Sequence, residues 1–202
     1  MKWTASQVKR YSDAMVSGLL EMSLLPGAMI VTCLPTDSAE FHILQLTCCR
    51  GGFVLGHLPE TSDPAVFAKV LKETRAVAVV TPEATRTFSY IDVLQEAMPE
   101  LERYDNALGV PFDSKDFPAF KYAIHTGFDL IRGFSNFKHL MAFNDELGGA
   151  PKSPKESDVI YVEFDGKTGK KGKTMTHKEV QDEQVESWKV VVDMVGGKYI
   201  EP

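Results

Sequence analysis

The chain has 202 residues, with 22 Lys and Arg against 28 Asp and Glu, a formal charge of −6 at neutral pH. Apolar residues make up 44% and charged residues 25%, the balance of a globular chain, which excludes wholesale disorder. Cysteines stand only at 33, 48 and 49, without the paired spacing of a disulfide scaffold or zinc site. A reduced, cytoplasmic protein with no metal and no cofactor is expected.

Residues 4–24 read as a helix. Val8, Tyr11, Met15 and Leu19 recur along one helical face, Thr4 or Ser6 can cap it, and Pro26-Gly27 ends it. The most apolar stretch, 18–34, is interrupted by Glu21 and Pro26, so no membrane span is expected. Asp13 and Glu21 likewise break the apolar core that a secretory signal needs. Residues 28–34, 40–49 and 53–58 read as three strands. Pro35-Thr36-Asp37-Ser38 and Arg50-Gly51-Gly52 form the turns between them. Short turns between apolar runs predict an antiparallel meander.

Asp63-Pro64 is a helix start, a capping carboxylate followed by proline in the first turn, and Val66, Phe67, Val70 and Leu71 form its buried stripe. Residues 76–81 read as a short buried strand. Ser89 caps a helix towards Arg103 that breaks near Pro99. Over 112–147, Phe117, Phe120, Ala123, Ile124, Gly127 and Ile131 fit one helix face. Ser135 then caps a second helix carrying Phe137, Leu140 and Met141, so a helical hairpin is predicted. Residues 148–157 have linker composition. Beyond them, 159–164 reads as a strand, Asp165-Gly166 as a turn and 173–176 as a returning strand, while 179–195 fits helix or strand equally. The expected fold is α+β: an antiparallel β-meander packed against several helices, with a C-terminal β-hairpin arm. The expected division is a core over 1–147, a linker over 148–157 and a basic hairpin with an acidic and apolar tail over 158–202.

The hairpin tip concentrates positive charge in an acidic protein. Lys167, Lys170, Lys171, Lys173 and Lys178 face a single carboxylate, Asp165, within 165–178. A polyanion would relieve their mutual repulsion, whereas a solvated tip would need no ligand. Gly172-Lys173-Thr174 imitates a phosphate loop, but five residues separate it from Gly166 and Lys167 stands where glycine is required. Seven of the 12 Phe lie between 112 and 143. Phe128 and Phe143 fall off the helical stripes, and with Tyr161 they are candidates for stacking on bases or for an oligomer interface. Cys48, Cys49, His42 and His57 share the predicted meander, where one thiol could meet a histidine. His125 and Asp129 fall four apart on a predicted helix.

These features predict a non-enzymatic nucleic-acid-binding or regulatory protein without catalytic residues. Single-stranded DNA or RNA would bind through the lysines and stacking aromatics. A protein-interaction or oligomerisation module built on 112–147 is the first alternative, and a small enzyme with a Cys/His site the second. Expected partners are single-stranded nucleic acid, a protein partner or a second copy, and no membrane.

Overall fold

The computed structural model describes residues 4–105, 112–142, 154–182 and 186–194. Thr4 starts α1 (Ala5–Glu21) with a reciprocal cap: its hydroxyl accepts from the Gln7 amide, and the Gln7 side chain accepts from the Thr4 amide. Val8, Met15 and Leu19 form the buried face of α1. Asp63 caps α3 (Pro64–Thr74), and Ser89 caps α4 (Tyr90–Ala97), which gives way at Pro99 to α5 (Glu100–Arg103). These boundaries follow the local signals of the sequence.

The sheet does not follow them. Six strands run parallel: β1 (Met29–Thr32), β2 (Val54–His57), β3 (Ala78–Thr81), β4 (Tyr122–His125), β5 (Phe134–Asn136) and β6 (Val159–Phe164). Only β7 (Lys171–Thr176) is antiparallel, paired to β6. The order across the 7-stranded sheet is β5-β4-β3-β1-β2-β6-β7. Ile30 of β1 registers with Leu55 on one side and Ala78 on the other. The expected antiparallel meander with a hairpin arm is therefore wrong. The sheet is mixed and mostly parallel, and β6 joins it beside β2, so the hairpin is part of the sheet.

The error turns on one segment. Residues 40–49, read as a strand, lie in α2 (Ala39–Gly51), capped by the Ser38 hydroxyl accepting from the Phe41 amide at 3.1 Å. Phe41, Ile43 through Cys49 and Gly51 are all buried. A helix covered all round loses the amphipathic period that identifies it. With α2 as a helix, β1 and β2 become parallel neighbours joined by a helical crossover.

The predicted helical hairpin over 112–147 is also absent from the described residues. Residues 122–125 form β4, 126–133 a loop and 134–136 β5, and α6 runs only from Phe137 to Ala142. Ala123 and Ile124 are both buried, on opposite faces of the sheet. A strand buried on both faces does not alternate.

The two faces carry separate cores. Val31, Val79, Ala123 and Val162 pack with α3, α4 and α5. Ile30, Leu55, Val80 and Ile124 pack with α1, α2, α6, α7 (His177–Asp182) and α8 (Glu186–Met194). Trp188 of α8 is fully buried, its ring edge-on to Tyr161 at 5.5 Å. The result is three layers, helices on both sides of a parallel sheet. Among the described residues, no helix is long and apolar enough to cross a membrane.

Candidate functional site

In an open parallel sheet the chain leaves the carboxyl ends of its strands in opposite directions where the strand order reverses, and a crevice opens there. Here the reversal is at β1, which has β2 on one side and β3 on the other. The Thr32 hydroxyl locks the exit from β1. It donates to the Val80 carbonyl at 3.0 Å and accepts from the Leu34 amide at 3.2 Å. A cavity of about 490 Å³ lies beyond it, walled by Leu34, Pro35 and Ser38 after β1, Pro82 and Ala84 to Thr87 after β3, Thr126 after β4, and Glu60. A second cavity, of about 470 Å³, shares Glu60 and Thr87 and continues to Asp63, Phe88, Gly166 and Lys167.

The ridge between the two cavities is a built loop. Ala84 and Ser89 bridge in antiparallel fashion, the Thr85 amide donates to the Phe88 carbonyl at 2.8 Å, and the Phe88 amide donates to the Thr85 hydroxyl at 3.2 Å. This tight loop presents Arg86 to solvent at the first cavity, with Lys167 at the second. Glu40 and Glu60 line the same cavity as Arg86. The two cavities thus offer apolar walls, hydroxyls from Ser and Thr, and one cation each.

Acid–base and nucleophilic groups are muted. Burial pushes the Cys33 and Cys48 thiols up, away from the thiolate that a nucleophile requires. Cys48 and Cys49 lie inside α2, and His42 spends its Nδ1 on the Gln45 side chain of the same helix at 3.0 Å. His57 ends β2, edge-on to Phe41 and stacked beside Tyr161, and burial lowers its pKa. His125 ends β4 rather than sitting on a helix, and it is fully buried. Burial lowers its pKa against the opposing pull of Glu83 and Asp129. Neither of its ring nitrogens, nor the hydroxyl of its register partner Thr81, finds a hydrogen-bond partner among the described residues. Among the described residues, no His, Cys, Asp and Glu cluster is suited to a metal ion.

The residues singled out for nucleic acid are scattered in role. Lys167 and Lys170 lie in the turn between β6 and β7, Lys171 and Lys173 on β7, and Lys178 on α7, all exposed. The backbone donors of that turn are already used. The Lys167 and Thr168 amides and the Thr168 hydroxyl all donate to one Asp165 oxygen, holding that carboxyl below its ordinary pKa. Strand β7 is the open edge of the sheet, where lysines discourage pairing with other chains. Phe128 is exposed, Tyr161 is buried in the core and offers no face to a base, and Phe143 lies outside the described residues. Sequence reasoning missed the crevice, whose walls come from segments far apart in the chain.

No protein-family model matches the chain. It is 27% identical over 188 residues to the human mitochondrial medium-chain acyl-CoA ligase ACSF2, covering 88% of this chain and 29% of that protein. The mouse protein of the same name is 28% identical over 98 residues, 48% of this chain and 16% of its own length. The chain thus spans less than a third of the curated relatives it matches. Solved structures share the fold. The anthranilate CoA ligase AuaEII, in complex with anthranoyl-AMP, superposes with a TM-score of 0.65 at 14% identity, covering 87% of this chain and 29% of that one. The acetoacetyl-CoA synthetase of Streptomyces lividans gives 0.67 at 13% identity, with 87% and 26% covered. A putative long-chain-fatty-acid CoA ligase of Rhodopseudomonas palustris gives 0.66 at 18% identity, with 94% and 42% covered. These likenesses overturn the expectation of a non-enzymatic nucleic-acid-binding or regulatory protein. They point to acyl-CoA ligases instead.

Proposed function

We propose that this chain is one α/β unit of an acyl-CoA ligase, and that the crevice at the carboxyl edge of its sheet helps to hold the activated acyl group. The observation that carries the reading is the match to a medium-chain acyl-CoA ligase along 88% of the chain. The shared fold of ligases, one of them holding an acyl-AMP, supports it. An acyl-AMP implies two steps. A carboxylate oxygen attacks the α-phosphorus of ATP and pyrophosphate leaves. The thiol of CoA, giving up its proton, then attacks the acyl carbon and AMP leaves.

In this chemistry the nucleophiles belong to the substrates. That suits a crevice lined by no cysteine or histidine, in a chain where burial raises the Cys33 and Cys48 thiols and lowers the His57 and His125 pKa. The chain's contribution is positioning, which counts heavily when two substrates must meet in line. Leu34, Pro35, Pro82 and Ala84 offer apolar wall to an acyl chain, and Arg86 and Lys167 offer charge to phosphate or carboxylate oxygens. Three buried cysteines outside any disulfide support a reducing, cytoplasm-like compartment.

The test is binding of a stable acyl-adenylate mimic, a medium-chain acyl sulfamoyl adenosine, to the full-length protein by calorimetry. The expected result is saturable binding that Arg86→Gln weakens by about tenfold, the loss of one charge-assisted hydrogen bond. Absence of binding to the full-length wild type would overturn the proposal.

A further inference from the structure

Beneath the ridge between the two cavities lies a side chain whose polar atom the fold does not use. Tyr90 opens α4 directly after the Ala84–Ser89 bridge, and its amide donates to the Glu83 carbonyl at 3.0 Å. The residue is 1% exposed. Its ring is fixed on two sides, edge-on to Phe88 at 4.8 Å and to Phe67 at 6.1 Å. Phe88 itself lines the second cavity. Among the described residues no group pairs with the Tyr90 hydroxyl, although a buried tyrosine ordinarily finds a partner for it. A phenylalanine would fill the same space, so packing alone does not account for the oxygen.

The surroundings of that oxygen place it at the crevice. Burial pushes its pKa well above the ordinary value, and Cys33 and then Glu60 act in the same direction. Cys33 precedes Leu34, which walls the first cavity at the exit from β1, and Glu60 lines both cavities. The hydroxyl therefore stands between the exits of β1 and β2, where the strand order reverses. It keeps its proton and serves as a hydrogen-bond donor on a rigid ring. With the Glu60 carboxylate near, an uncharged oxygen suits this donor better than an anionic one. In an acyl-adenylate the acyl carbonyl is such an oxygen.

We propose that Tyr90 is a substrate-positioning residue at the floor of the crevice, its hydroxyl donating to the carbonyl oxygen of the bound acyl group. This rests on the ligase reading and names the contact that holds the acyl carbon for attack by the thiol. The bond leaves the chemistry with the substrates: the donor gives up no proton and fixes only where the carbonyl lies.

Calorimetry of the full-length protein with two ligands tests it. A medium-chain acyl sulfamoyl adenosine carries the acyl carbonyl, and sulfamoyl adenosine lacks it. Tyr90→Phe is expected to keep the thermal melt of wild type, since no hydrogen bond of the fold is lost. It should weaken the acyl ligand about three- to tenfold, the loss of one neutral hydrogen bond, and leave sulfamoyl adenosine unchanged. If wild type binds the acyl ligand and Tyr90→Phe binds it equally well, this inference is overturned while the ligase reading stands. A lowered melt, or equal weakening of both ligands, overturns it too, because the hydroxyl then serves the fold or the nucleotide. Wild type that binds neither ligand overturns the ligase reading and this inference with it.

Discussion

His177 opens α7 with its ring inside the core, and burial lowers its pKa from 6.5 to about 4 against the weaker opposite pull of Asp158. The unfolded ring takes its proton near 6.5, the folded one only near 4. Between those values the unfolded state binds more protons, so stability is fully present above about 6.5 and falls as the pH drops towards 4. Urea titrations of wild type at pH steps across this window should show the midpoint falling with acid, and His177→Gln should flatten that dependence. An equal acid slope in the variant would assign it to other groups. Gly133 is a residue of the opposite kind, fixed by shape. Its φ of 85° and its approach to the Leu101 carbonyl exclude any β-carbon. Gly133→Ala should cost about 2–4 kcal/mol in denaturant unfolding, from the left-handed backbone and the overlap together.

At the scale of elements, the local signals were legible and the pairing was not. The caps at Thr4, Asp63 and Ser89 stand in the sequence and in the structure. Helix α2 was hidden because burial on all sides erased its period, and β4 because burial on both faces erased its alternation. With 40–49 read as a strand, the parallel order cannot be recovered from the sequence. The lysines of β7 were conspicuous for a reason that only the sheet order reveals: β7 is an edge, and Lys171 and Lys173 are exposed along it. Replacing both by Val should leave the fold intact but drive concentration-dependent assembly, read by light scattering. A variant that stays as monodisperse as wild type would show that the lysines do not guard the edge.

At the scale of the whole molecule, the site was the least legible feature. Leu34, Glu60, Pro82 with Arg86, and Thr126 come from four connections and meet only because the strand order reverses at β1. Each of those residues is unremarked in its own stretch of chain, whereas the lysine run and the phenylalanines draw notice without converging on a cavity. Most of those aromatics, Phe112, Phe117, Phe120, Phe134 and Phe137, are core. The proposed function makes the chain part of an enzyme that activates carboxylic acids as adenylates. The most direct measurement is isotope exchange between pyrophosphate and ATP, catalysed by the full-length protein over a series of carboxylic acids. Exchange that requires an acid and is strongest with medium-chain fatty acids is the predicted result. No acid-dependent exchange with any member of the series, from protein shown to be folded, would contradict it.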